Sequence, residues 1–429
     1  MLRGPGRRVG ILALVLTLPL AGCRPAPTPP DALQGNAVRS DDVHGSIVLA
    51  VGINNDDTIN AALLEDLNQR IGDLVRSYRT LHPRVHVEVQ PFQEDLLVQE
   101  LERRSRDGLA PDLVMVNGTT ARTLSLKGLT RPIRMPPSVT DQLDPGSLER
   151  VRRPDGRLIG LPVLLQPQLA CYDRRRVQKP PATLDDLLAR NGGRMQAGLP
   201  IDAINLAWTL GPLGTLGTIE RLAGGQMATA ADRARVQAWL KWLGTAHLQQ
   251  GIHFLAAQED LVQGLTDGRL DWISCRSTHL GRLRLRLGSH LGVSVLPSGP
   301  DGPASPITRE RLLAFGVNST KAQRQAAESL AHFSINPLVQ RTITLRNLVS
   351  LPVNRNMQLP MGASQVLDTM VAAREQGAAS ESATLPLLHT DAEGSDRFRR
   401  LITGFLYGEV DARTATDQLV RALASRSTE

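Results

Sequence analysis

Short β-branched apolar runs alternate with stretches of helical period along most of this chain. The run Ile47-Val48-Leu49-Ala50-Val51 suits a buried strand. In the next segment, residues 60–81, Leu63, Leu64, Leu67, Ile71, Leu74, Val75 and Tyr78 share one helical face. His82-Pro83 stops that helix, because a proline cannot continue it. Residues 85–89 alternate as a second strand, 95–106 read as a helix closed by Gly108, and 111–116 form a third strand. Strand, helix, strand, helix, strand predicts a parallel α/β lobe. The pattern resumes after Pro162. Strands are expected at 169–172, 270–274, 291–296 and 312–317. Helices are expected at 183–189 with Thr183 as N-cap, and at 230–248, 258–265, 320–333, 336–345, 364–376, 395–407 and 414–425. The alternating arginines Arg282, Arg284 and Arg286 read as the solvated face of an extended segment.

The first residues depart from this pattern. Arg3, Arg7 and Arg8 precede about a dozen apolar residues and then Leu20-Ala21-Gly22-Cys23, the layout of an export signal. The apolar run is shorter than the ~20 residues a spanning helix needs. Residues 24–45, Pro-rich and then polar, read as a tether. The formal charge is +7, and without the three leader arginines it is +4. Almost all of the basic excess is arginine; lysine occurs only at Lys127, Lys179, Lys241 and Lys321. There is no long basic run with interleaved aromatics, which argues against nucleic acid. Cys171 and Cys275 either pair in an oxidising compartment or stand as two buried thiols, and sequence leaves both open. No metal-ligand spacing, His-Glu-x-x-His element or Gly-x-x-x-x-Gly-Lys-Ser/Thr element is present, so an enzyme is not expected and no cofactor is called for.

Leu20-Ala21-Gly22-Cys23 resembles a bacterial lipobox, which implies that Cys23 carries lipid after cleavage of residues 1–22. A second resemblance runs along the body. Residues 78–88 (around Tyr78 and Pro83), 108–116, 127–133, Asp155-Gly156-Arg157-Leu158-Ile159-Gly160-Leu161-Pro162, Tyr172-Asp173, 180–187, Gly268-Arg269-Leu270, Val295-Leu296-Pro297 and Leu351-Pro352-Val353-Asn354 occur in the order found in one family. They resemble the extracellular solute-binding proteins of ABC importers, in particular the maltose-binding-like carbohydrate group.

That resemblance implies a two-lobed α/β fold of the type II periplasmic-binding-protein kind, with hinge strands and a ligand cleft between the lobes. The expected domains are a leader (1–22), a tether (23–45), a first lobe (46–165 with 297–350) and a second lobe (166–296 with 351–429). A lipid-anchored monomer on the periplasmic side of the cell membrane is expected, working with ABC permease subunits. The expected ligand contacts are Asn54, Asn55 and Asp56 after the first strand, and Asn117, Thr119 and Thr120 after the third. Gln166 and Gln168 fall at the crossing, followed by Asp202, Asn205, Trp208, Arg276 and Thr278. Several have a plainer role open to them. Asn and Asp favour turns, Asn117 suits a helix cap, Trp208 suits a core, and Arg276 suits a structural pair. Sugar binders offer flat rings to sugar faces, yet this chain has Ser277-Thr278-His279 and Leu387-Leu388-His389 where many relatives carry aromatics. The resemblance therefore points to a small sugar, polyol or short glycoside. The alternatives are an anionic compatible solute held by Arg276, or a scaffold or sensor lipoprotein that has lost its solute.

Overall fold

Leu49, Ala50 and Val51 are buried because the first strand has a strand on either side and helices packed against it. The computed structural model describes residues 43–53, 61–189, 195–378, 380 and 392–424. Cys23 with the leader and most of the tether, the segment 54–60 with Asn54, Asn55 and Asp56, and Leu387-Leu388-His389 lie outside the described residues.

The strands in chain order are β1 (Gly45–Ile53), β2 (Val85–Gln93), β3 (Leu113–Asn117), β4 (Thr130–Arg131), β5 (Leu161–Gln166), β6 (Gln168–Asp173), β7 (Ala197–Pro200), β8 (Ile252–Leu255), β9 (Trp272–Arg276), β10 (Leu291–Ser294), β11 (Arg309–Gly316) and β12 (Leu351–Pro352). They form two sheets, one to each lobe. The first has the order β12-β5-β11-β3-β1-β2, with β4 paired to β11. The second has the order β10-β6-β9-β7-β8. Pairing is parallel within β2-β1-β3 and within β8-β7-β9, where helices make the crossovers, and antiparallel elsewhere. The architecture is α/β and two-lobed, as the resemblance implies.

Helix boundaries follow local chemistry. Thr229 and Asp232 form a reciprocal capping box at the start of Ala230–His247, and Thr320 and Gln323 form another at Lys321–Ser334. Thr183 Oγ1 accepts from Asp186 N at 3.0 Å ahead of Leu184–Ala189. One expectation is overturned. Residues 280–287 form a helix, Leu280–Leu287, not an extended arginine face. Leu280, Leu283 and Leu287 point into the core at helical spacing, while Leu285 is 88% exposed. Leucine and arginine alternate there, so period two and period 3.6 fit the same letters, and burial of three leucines decides for the helix. Strand β9 also starts two residues later than expected, at Trp272.

The chain passes from the first sheet to the second through one residue, Pro167, between β5 and β6. Leu351 and Pro352 pair with Leu165 and Leu164, so the chain leaves the first sheet for the last time after β12. Cys171 on β6 and Cys275 on β9 form a disulfide, with Cα atoms 5.8 Å apart and both residues wholly buried. This decides between the two sequence readings. The bridge spans 104 residues, and a loop of about that size is worth roughly 4.7 kcal/mol in the chain-entropy account. The double variant C171A/C275A is therefore expected to lose about 3 to 5 kcal/mol of unfolding free energy in urea; a loss under about 1 kcal/mol would show the bridge to be redundant.

Candidate functional site

The two sheets meet where β5 becomes β6, and polar side chains collect there. Gln166 ends β5 opposite Arg309, the first residue of β11. The Pro167 carbonyl accepts from Ser277 N at 3.0 Å. Gln168 opens β6 opposite Arg276, the last residue of β9. The crossing is thus braced by a strand from each sheet.

From this point the network spreads into the second lobe. Gln168 Nε2 donates to the Asn205 carbonyl at 2.7 Å. Arg309 Nη2 donates to Asn205 Oδ1 at 3.1 Å, a link from a first-sheet strand to the second lobe. Asp202 caps the short helix Ala203–Leu206, accepting from Asn205 N and Asn205 Nδ2, both at 2.8 Å. Arg276, only 4% exposed, lies 3.3 Å through Nη2 from His279 Nε2. The guanidinium donates, so Nε2 accepts and Nδ1 carries the histidine proton. Burial, then the charges of Arg276, Arg282 and Arg309, hold His279 well below the usual histidine range, so it is neutral at pH 7.

Several polar atoms in this region are shielded from water and have no hydrogen-bond partner among the described residues. They are Gln168 Oε1, Thr278 Oγ1, His279 Nδ1 and Thr308 Oγ1. Gln258 Oε1 and Ser274 Oγ are in the same condition, on residues joined by the bond from Gln258 Nε2 to the Ser274 carbonyl. Each such atom costs about 1–3 kcal/mol unless something pairs with it.

The expected contacts divide. Gln166, Gln168, Asn205, Arg276 and Thr278 gather at the crossing, and Asp202 joins them through Asn205. Asn117 ends β3 in the first lobe, but its side chain is spent as the N-cap of Gly118–Leu126, accepting from Thr120 N at 2.9 Å. Thr119 and Thr120 are half-buried in the first turn of that helix. The ring-stacking role considered for Trp208 is corrected. Its indole is wholly buried in the second core and presents no open face. Sequence reasoning missed Thr308, Arg309 and Gln258. The one available signal was the triplet Arg309-Glu310-Arg311 opening an otherwise apolar strand.

No group of three or more metal-ligating side chains exists among the described residues, and no described helix is long and apolar enough to cross a membrane.

Two α/β sheets joined by crossing strands, with polar side chains converging between them, define a two-lobed solute-binding architecture. The chain belongs to the bacterial extracellular solute-binding protein family, whose model matches residues 73–368. Solved structures share the fold at low identity. The GacH receptor of Streptomyces glaucescens, determined unliganded and with acarbose, is 13% identical with a TM-score of 0.72, covering 90% of this chain and 99% of that one. An ABC transporter solute-binding protein from Thermotoga lettingae, bound with α-D-tagatose, is 15% identical with a TM-score of 0.64, covering 89% and 99%. The maltodextrin-binding protein MalE1 of L. casei is 16% identical with a TM-score of 0.61, covering 89% and 99%. No curated protein matches the chain.

The depressed pKa of His279 makes stability depend on pH. Unfolded, the imidazole takes up a proton near pH 6.5; folded, it resists doing so. The contribution is complete above about pH 6.5 and is lost as pH falls below it. Thermal midpoints should drop from pH 8 to pH 5 more steeply in the native chain than in H279Q, and parallel profiles would show that His279 ionises freely in the fold.

Proposed function

We propose that this chain is the lipid-anchored substrate-binding component of an ABC importer. It takes a small sugar, polyol or short glycoside at the junction of its lobes and delivers it to permease subunits. The proposed lobes are residues 46–165 with 297–350, and 166–296 with 351–429. Membership of the solute-binding family supports the class. Acarbose, α-D-tagatose and maltotetraose, bound by proteins of this fold, support a hydroxylated ligand. The observation that carries the reading is the group of shielded, unpaired polar atoms around Gln168 and Thr278, both donors and acceptors, which hydroxyl groups satisfy in either direction.

Small size is supported by the aromatic inventory. All six phenylalanines, three tyrosines and four tryptophans fall among the described residues. Trp208, Trp239, Trp272, Tyr78, Tyr172, Phe254 and Phe315 are buried in the two cores. Trp242, Phe333, Phe398 and Phe405 pack against those cores, Phe92 lies under the Arg104 guanidinium, and Tyr407 packs its ring on His247. A long sugar stacked on rings has no platform among them. Cys23 and the tether then hold the trap close to its permease, raising its local concentration there. The positive charge of Arg276 and Arg309 at the crossing favours a second reading, an anionic compatible solute bound through a guanidinium.

Calorimetric titration of residues 31–429 separates these readings. Glycerol, D-tagatose, maltose, maltotetraose and glucuronate serve as probes. Binding of a small neutral solute without maltotetraose is expected; no heat with any hydroxylated probe would overturn the transport reading. Tight glucuronate binding that R276A abolishes, with neutral probes barely affected, would establish the anionic reading instead.

A further inference from the structure

Two ion pairs lie buried at the carboxyl end of β3, where the helix Gly118–Leu126 begins. Arg311 Nη1 meets Glu94 Oε2 at 2.8 Å, with side chains 7% and 3% exposed. Arg150 Nε meets Glu310 Oε2 at 3.0 Å, with side chains 5% and 6% exposed. Arg311 does more than pair. Its Nη2 donates to the Met115 carbonyl at 2.9 Å and to the Gly52 carbonyl. Gly52 lies at the carboxyl end of β1 and Met115 near that of β3. The other Glu94 oxygen, Oε1, accepts from Asn117 N at 2.6 Å. One guanidinium and one carboxylate therefore tie β1, β3 and β11 together at the carboxyl ends of β1 and β3.

Stability alone does not call for charge here. A buried ion pair is often no more stabilising than a well-packed apolar pair of similar volume, and the rest of β11 is built from Leu312, Leu313, Ala314 and Phe315. What a leucine lacks is direction: a guanidinium offers five donors in a fixed fork. The backbone is fitted to these pairs. A Cβ on Gly52 would lie 3.1 Å from Glu94 Cδ, and one on Gly118 would lie 2.8 Å from Glu310 Oε1.

We propose that Arg311, working with Glu94, is a positioning residue for solute binding. It fixes the carboxyl ends of β1 and β3, and with them the start of β11, whose Arg309 reaches Asn205 at the junction. This rests on the junction being the solute site.

The test uses the purified full chain and the double variant E94L/R311M, in which an apolar pair replaces the charged one. Expected is a folded chain with a lowered thermal midpoint, because the Gly52 and Met115 carbonyls and Asn117 N lose partners, with faster hydrogen exchange in residues 113–120 and at least tenfold weaker binding of whichever probe sugar the native chain takes. A folded double variant with native exchange and native affinity would overturn the proposal, since the pair would then be structural only. Should the double variant fail to fold, R311K decides. Lysine keeps the charge but not the fork, so faster exchange at 113–117 is expected, and unchanged exchange overturns the proposal. If no probe binds the native chain, the functional reading fails, while the exchange arm still tests the positioning.

Discussion

A single residue between two sheets is the constraint on which the site depends. Pro167 alone separates β5 in the first sheet from β6 in the second, so the crossing has no slack. Each neighbouring glutamine is held in a ladder of its own, Gln166 against Arg309 and Gln168 against Arg276. Proline has a fixed φ and no N–H to satisfy, and its carbonyl is taken by Ser277. The crossing is therefore a pivot of known position. Any closing of one lobe on the other must turn about it, and must carry Gln168 with the second sheet and Arg309 with the first. The bond from Arg309 to Asn205 spans the same boundary, so contacts at the crossing are also contacts between a first-sheet strand and the second lobe.

Such a pivot needs stiff supports, and the chain provides a different one on each side. In the second lobe the Cys171–Cys275 bridge ties β6, which begins at Gln168, to β9, which ends at Arg276. In the first lobe buried charge takes that role, through Glu94 with Arg311 and Glu310 with Arg150. A disulfide fixes distance between two strands but satisfies no polar group. Arg311 satisfies two carbonyls and a carboxylate at once, which suits strand ends where the ladder stops and backbone groups lose their partners.

Much of the fold was legible because it is written in local chemistry. The helix Leu184–Ala189 announces itself by the capping residue Thr183, and the turn at His82-Pro83 by the proline. The strands β7 and β8 were not foreseen, since four residues such as Ile-His-Phe-Leu carry too little periodicity to separate strand from loop. Leu280–Leu287 was misread because its letters fit two periods. The site was legible in outline only. Gln166 and Gln168 were found because the crossing could be located, whereas Asn117, chosen as a loop residue, and Asp202, chosen through the family resemblance, spend side-chain oxygens capping helices. Arg309 and Thr308 were missed because they belong to a strand distant in sequence, and their meeting with Asn205 exists only in the folded chain.

Rings packed in or against the two cores, with only Tyr407 exposed, change how recognition must work here. A stacked aromatic platform binds through area and tolerates some lateral shift of the sugar. Solute binding at Gln168, Asn205, Thr278, Thr308 and a neutral His279, as proposed, would work through direction, because a hydrogen bond weakens steeply once its angle falls toward 120°. Such a site is only as selective as its atoms are well placed. That demand accounts for the rigid crossing, the bridge beneath β6 and β9, and the charged lattice beneath β3. A chain that forgoes stacking must invest in positioning, and the buried polar chemistry on both sides of Pro167 is where it does so.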